Sequence, residues 1–130
     1  MLSVLVLAYT ATSLAHFVHN AELLEFYPNM PRWITRETVY QAWLAVAGIG
    51  ALGLLLARVG WPAVGASVLA VYGALGLDGL GHYTLALCSQ HTVGANVTVW
   101  SEVIAGLALA TVAGKSAVRN LLVRRAVRDA

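Results

Sequence analysis

Residues 36–59 read RETVYQAWLAVAGIGALGLLLARV. From Thr38 to Ala57 there is no Asp, Glu, Lys or Arg, and roughly 20 apolar residues are what a helix needs to cross the hydrocarbon core of a bilayer. Thr35 precedes the run as an N-cap, its hydroxyl placed to accept from the first-turn amides, with Thr38 in the first turn. Arg36, Glu37 and Arg58 mark where polar surroundings resume. The stretch predicts a membrane-spanning helix over 36–59.

The same composition recurs on both sides. An apolar run over 2–26 stops at Tyr27-Pro28-Asn29-Met30-Pro31, because proline cannot continue a helix and disfavours helix in the residue before it. Gly60-Trp61-Pro62 is the next break, with Pro62 at a first helical position, and opens a third run over 62–87. A turn at Cys88-Ser89-Gln90 leads to a fourth over 92–114, which continues as a basic amphipathic tail over 115–130. The expected fold is all-α, a four-transmembrane-helix bundle with short loops and a single membrane domain. Global composition agrees. Of the 130 residues, 59% are hydrophobic and 11% charged, with a mean hydropathy of +0.74, whereas soluble domains carry about a quarter charged residues. No basic residue precedes the first run, so it reads as a retained span and not as a secretory signal. Glycines crowd the second and third spans, as expected where helices approach closely in a membrane.

The net charge is +2, but Lys115, Arg119, Arg124, Arg125 and Arg128 gather at the C-terminus. That clustering is too local for nucleic acid, and it matches the cytoplasmic flank of a membrane protein or an anchor on anionic lipid. With four spans, both termini are expected in the cytoplasm, and the expected location is a prokaryotic cytoplasmic (inner) membrane. Arg32 and Arg36 in the first joint run against that orientation. Cys88 is the one cysteine, which excludes an intramolecular disulfide and a cysteine-rich metal cluster. Trp33 and Trp61 fit interfacial anchors at span ends, while Trp43 and Trp100 lie deeper.

Ionisable residues inside a span are expensive and mark functional sites. Counted from the cytoplasmic end at 1.5 Å per residue, His16 lies at roughly 21 Å, His19 at roughly 26 Å, Asp78 at roughly 24 Å, His82 at roughly 30 Å and Glu102 at roughly 20 Å. Tyr40 and Gln41, at roughly 26 Å, and Asn96, at roughly 28 Å, share the layer. Helical periodicity puts Tyr9, Thr12, Ser13, His16, His19 and Asn20 on one face of the first span, and Asp78 and His82 on one face of the third. All four histidines fall in the extracytoplasmic half, His91 at its rim.

Four kinds of chemistry fit such a set. Imidazole and carboxylate donors suit a transition metal ion such as Zn, Cu, Fe or Mn, with His16, His19, Asp78, His82, Glu102 and His91 as candidate ligands. Asn20, Tyr40, Gln41 and Asn96 would then be supporting contacts to a cofactor. Two facing histidines could hold b-type haem, which would not need Asp78 and Glu102 in the layer. Glu102 and Asp78 beside histidine could instead perform metal-free acid–base catalysis, isomerase-like, on a lipophilic small molecule drawn from the bilayer. Finally, the polar groups could join helix to helix, in a homo-oligomer or in an accessory subunit of a larger membrane complex. The metal site is the expectation carried forward from the sequence.

Overall fold

The computed structural model describes residues 1–128, and the last two residues of the expected 115–130 tail lie outside the described residues. The fold is all-helical, with no strand among the described residues. Helix α1 covers Leu2–Glu22, α2 Arg36–Arg58, α3 Pro62–Ala74, α4 His82–Leu85 and α5 Val93–Arg128. Four helical stretches are long and apolar enough to cross a membrane: Leu2–Glu22, Arg36–Arg58, Pro62–Leu85 and Val93–Val123.

The helix ends follow local chemistry. At the start of α2, Thr35 and Thr38 cap each other: the Thr38 amide donates to Thr35 Oγ1 (3.3 Å) and the Thr35 amide donates to Thr38 Oγ1 (2.9 Å). Two otherwise unpaired amides are satisfied together. Helix α1 ends at Glu22, four residues before the expected limit, and a 3₁₀ turn at Leu24–Phe26 carries the chain to Pro28. Helix α5 does not stop near Gly114. Its 36 residues extend roughly 54 Å, well beyond a hydrocarbon core of about 30 Å, so the basic tail is the same helix prolonged.

The third span departs most from expectation. It is α-helical only to Ala74, then becomes a 3₁₀ helix over Leu75–Gly81 before the short α4. The segment reads Leu-Gly-Leu-Asp-Gly-Leu-Gly, and glycines weaken the α-helix. A 3₁₀ helix places residues i and i+3 in line. Leu75, Asp78 and Gly81 thus fall on one ridge, and they border one cavity together with Gly79 and, from α4, His82 and Leu85.

In the bundle, α3 packs against α2 and α5, and α1 packs against α5 and α2. Helices α3 and α5 approach closely: a Cβ on Gly73 would stand 2.6 Å from the Gly106 carbonyl oxygen and 2.7 Å from the Ala110 amide nitrogen. Below the cavity, Val6, Tyr9, Leu69, Tyr72, Leu109 and Ala113 form a buried core. Tyr9 and Tyr72 meet edge to face with centroids 4.6 Å apart. The Tyr72 hydroxyl is hydrogen-bonded to Thr10 Oγ1 at 2.9 Å. This core closes one end of the bundle, and the polar residues occupy the other.

Candidate functional site

The cavity occupies about 410 Å³ between α1, α2 and the third span, beneath the 27–35 loop. That volume falls in the range of small-molecule sites. Of the residues singled out from sequence, His16, Asn20, Asp78, His82 and Glu102 line it.

Glu102 is, among the described residues, the one α5 residue in its wall. It is 2% exposed, and its Oε2 has no hydrogen-bond partner. His16, 3% exposed, faces it with Nε2 3.8 Å from Oε2. That is beyond a direct hydrogen bond, and within reach of a small adjustment or an intervening ligand group. The other nitrogen, Nδ1, lies 3.4 Å from Thr98 Oγ1, whose own proton goes to the Ala95 carbonyl. Gly79 makes room here: a Cβ at that position would stand 3.4 Å from Glu102 Oε2 and 3.8 Å from His16 Nε2. One and two turns further along α1, Ser13 and Tyr9 are fully buried, and neither hydroxyl has a hydrogen-bond partner.

Higher in the cavity, the His82 ring lies against His16, with centroids 5.3 Å apart. Its Nε2 is 3.4 Å from Asn20 Nδ2, while Asn20 Oδ1 is buried without a partner. Asp78 lines the cavity from an exposed position. The remaining wall is apolar. Phe17 comes from α1, Val39, Ala42 and Val46 from α2, and Met30, Pro31, Trp33 and Ile34 from the loop.

The other predicted residues stand elsewhere. His19 leaves the cavity and hydrogen-bonds the Tyr27 hydroxyl through Nδ1 at 2.8 Å, and Gly94 is needed beside it, because a Cβ there would come 2.6 Å from His19 Nε2. His91 is buried at the rim, its Nδ1 3.0 Å from the Leu87 carbonyl. Asn96 secures the 88–96 turn, accepting from Tyr83 (2.8 Å) and Cys88 (3.3 Å) and donating to the Cys88 carbonyl (3.1 Å). Tyr40 donates to Glu22 at 2.6 Å on an exposed surface, where Arg36 also binds Glu22 at 2.7 Å. Gln41 is exposed on the outer face of α2. Among the described residues, no group of three or more His, Cys, Asp or Glu is arranged to hold a metal ion. His16 lies beside both His82 and Glu102.

Tyr27 is the buried residue that sequence reasoning passed over. It is 3% exposed and touches His19, His82 and His91 (centroids 5.7, 4.8 and 6.2 Å away). Burial pushes its hydroxyl up to about 12, so the phenol remains neutral beside the histidines. Its position in a helix-stopping loop concealed it, since no periodicity operates there. The same holds for Met30, Pro31 and Ile34, while Trp33, read from sequence as an interfacial anchor, also lines the cavity.

No protein family, curated protein or solved structure matches this chain.

Proposed function

We propose that this chain binds a lipophilic small molecule within the bilayer, with His16 and Glu102 as the pair that exchanges a proton with its polar group. One observation carries the proposal. A carboxylate with an unpartnered buried oxygen faces an imidazole at the polar floor of an otherwise apolar cavity. Acid–base work needs one group to take a proton and another to return it in a water-poor site, and Glu102 and His16 can divide those roles. Asp78 and His82, further up the wall, are the second carboxylate–imidazole set within reach of the ligand. The apolar core around Leu69, Tyr72 and Leu109 seals the far end, which favours a binding or catalytic pocket over a channel. In this proposal both termini are cytoplasmic and the cavity lies in the extracytoplasmic half of a prokaryotic inner membrane.

A transition metal ion is the second reading. It is favoured by His16, His82, Asp78 and Glu102 opening onto one space. Drawing them to ligand distances of roughly 2 Å would require side-chain movement.

Lipid extraction and mass spectrometry, with elemental analysis on the same detergent-purified sample, test both. The expected result is a lipophilic compound that co-purifies with the wild type and is lost from Ala42→Trp, which fills the cavity. Stoichiometric metal that His16→Ala and His82→Ala both lose would transfer the site to the metal reading. A sample with neither, and no difference between wild type and Ala42→Trp, would sink the proposal.

A further inference from the structure

The cavity is one-sided in charge and in hydrogen-bonding sense. Glu102 and Asp78 both line it, and among the described residues no Lys or Arg does. Arg36, at the start of α2, is engaged by Glu22 and Tyr40 outside the cavity. The two lining atoms that are buried without a partner, Glu102 Oε2 and Asn20 Oδ1, are both acceptors. The walls thus present open acceptors and negative charge, and a ligand that completes them must bring donors and positive charge.

The energetic sense is clear. A carboxylate buried among apolar groups without a compensating partner is costly, and His16 at 3.8 Å is beyond a direct hydrogen bond. An anionic head would face two acids with no cation beside it. A neutral head would satisfy Glu102 only in its protonated, uncharged form. An ammonium group would donate to Glu102 Oε2, and Asn20 Oδ1 higher in the same cavity offers a second open acceptor. The apolar α2 and loop walls would then cover a hydrocarbon body.

Building on the lipophile-binding proposal above, we infer that the ligand class is a lipophilic amine bound in its ammonium form, its nitrogen held by Glu102 with Asn20 and Asp78 in support.

The test uses the full chain in nanodiscs of neutral lipid at neutral pH. Three radiolabelled probes share one tricyclic hydrocarbon body: dehydroabietylamine, the corresponding alcohol, and dehydroabietic acid. Specific binding is the part lost in Ala42→Trp. The amine is expected to bind on the order of tenfold or more tighter than the alcohol, since it gains a buried charge pair, and the acid to show no specific binding. Glu102→Gln should erase the preference for the amine, and an unchanged helical circular-dichroism signal with monodisperse elution in detergent shows that the variant folds. Asp78→Asn, at an exposed position, should reduce the preference in part. If the alcohol binds as tightly as the amine, or the preference survives Glu102→Gln, the amine inference is overturned and the lipophile pocket stands. If none of the three probes binds specifically, both fail.

Discussion

Glu102 is held where its chemistry is expensive. Its side chain is 2% exposed and one oxygen lacks a partner. Replacing a poorly compensated buried charge by an apolar residue of similar size is often stabilising. Glu102→Leu is therefore expected to stabilise the bundle by about 1–2 kcal/mol while abolishing ligand binding. Equilibrium unfolding in mixed micelles, set beside the lipid-extraction assay, checks both. A destabilised variant would mean that Glu102 supports the fold and not a function. Tyr27 makes the opposite prediction. Its hydroxyl is buried and hydrogen-bonded to His19 at 2.8 Å, so Tyr27→Phe should cost about 1 kcal/mol. The same unfolding measurement would expose the idea as wrong if the variant were neutral.

At the scale of elements, the 3₁₀ stretch Leu75–Gly81 shapes the site. By aligning every third residue, it directs Asp78 with Leu75 and Gly81 into the cavity that His82 and Leu85 of α4 also line. The α-helical spacing assumed from sequence had put Asp78 and His82 on one continuous helix, whereas Asp78 lies in the 3₁₀ segment and His82 opens α4. Glycines on this span do different jobs, and substitution should separate them. Gly73→Ala forces a Cβ against the backbone of α5 and should cost about 1–3 kcal/mol through overpacking. Gly81→Ala meets nothing within 4 Å and should be neutral or stabilising by a few tenths to about 1 kcal/mol. Thermal unfolding of the pair in one detergent decides the matter: equal losses would refute the close α3–α5 approach.

For the whole molecule, the division is between a sealed apolar end and a polar end capped by the 27–35 loop. The loop is fastened at several points. Asn29, at positive φ (60°), donates to the Leu85 carbonyl at 2.8 Å, and Arg36 and Tyr40 meet Glu22. Orientation is a prediction at this scale. The basic C-terminal stretch of α5 should remain in the cytoplasm. A C-terminal green fluorescent protein fusion should therefore fluoresce, and a C-terminal alkaline phosphatase fusion should be inactive. The reverse pattern would place the cavity in the cytoplasmic half and overturn the proposed location.

Much of this was legible in the chain itself. Four apolar runs and their prolines dictate four helices long and apolar enough to cross a membrane, because apolar length and lost amide donors act locally. The Thr35–Thr38 cap follows from residue type for the same reason. Counting helical rise also grouped His16, Asp78, His82 and Glu102, which line one cavity, together with His19, Tyr40, Gln41 and Asn96, which do not. What the tertiary structure alone decided was which polar groups meet. His16 and His19 are three residues apart on one helix, yet α5 meets the first with Glu102 while the second turns to Tyr27. Depth does not define azimuth, and azimuth depends on how neighbouring helices pack and where Gly73, Gly79 and Gly94 allow approach. The broken third span and the loop that roofs the cavity were likewise beyond sequence reading. A 3₁₀ segment and an irregular loop are set by the contacts they make in three dimensions and leave no periodic trace.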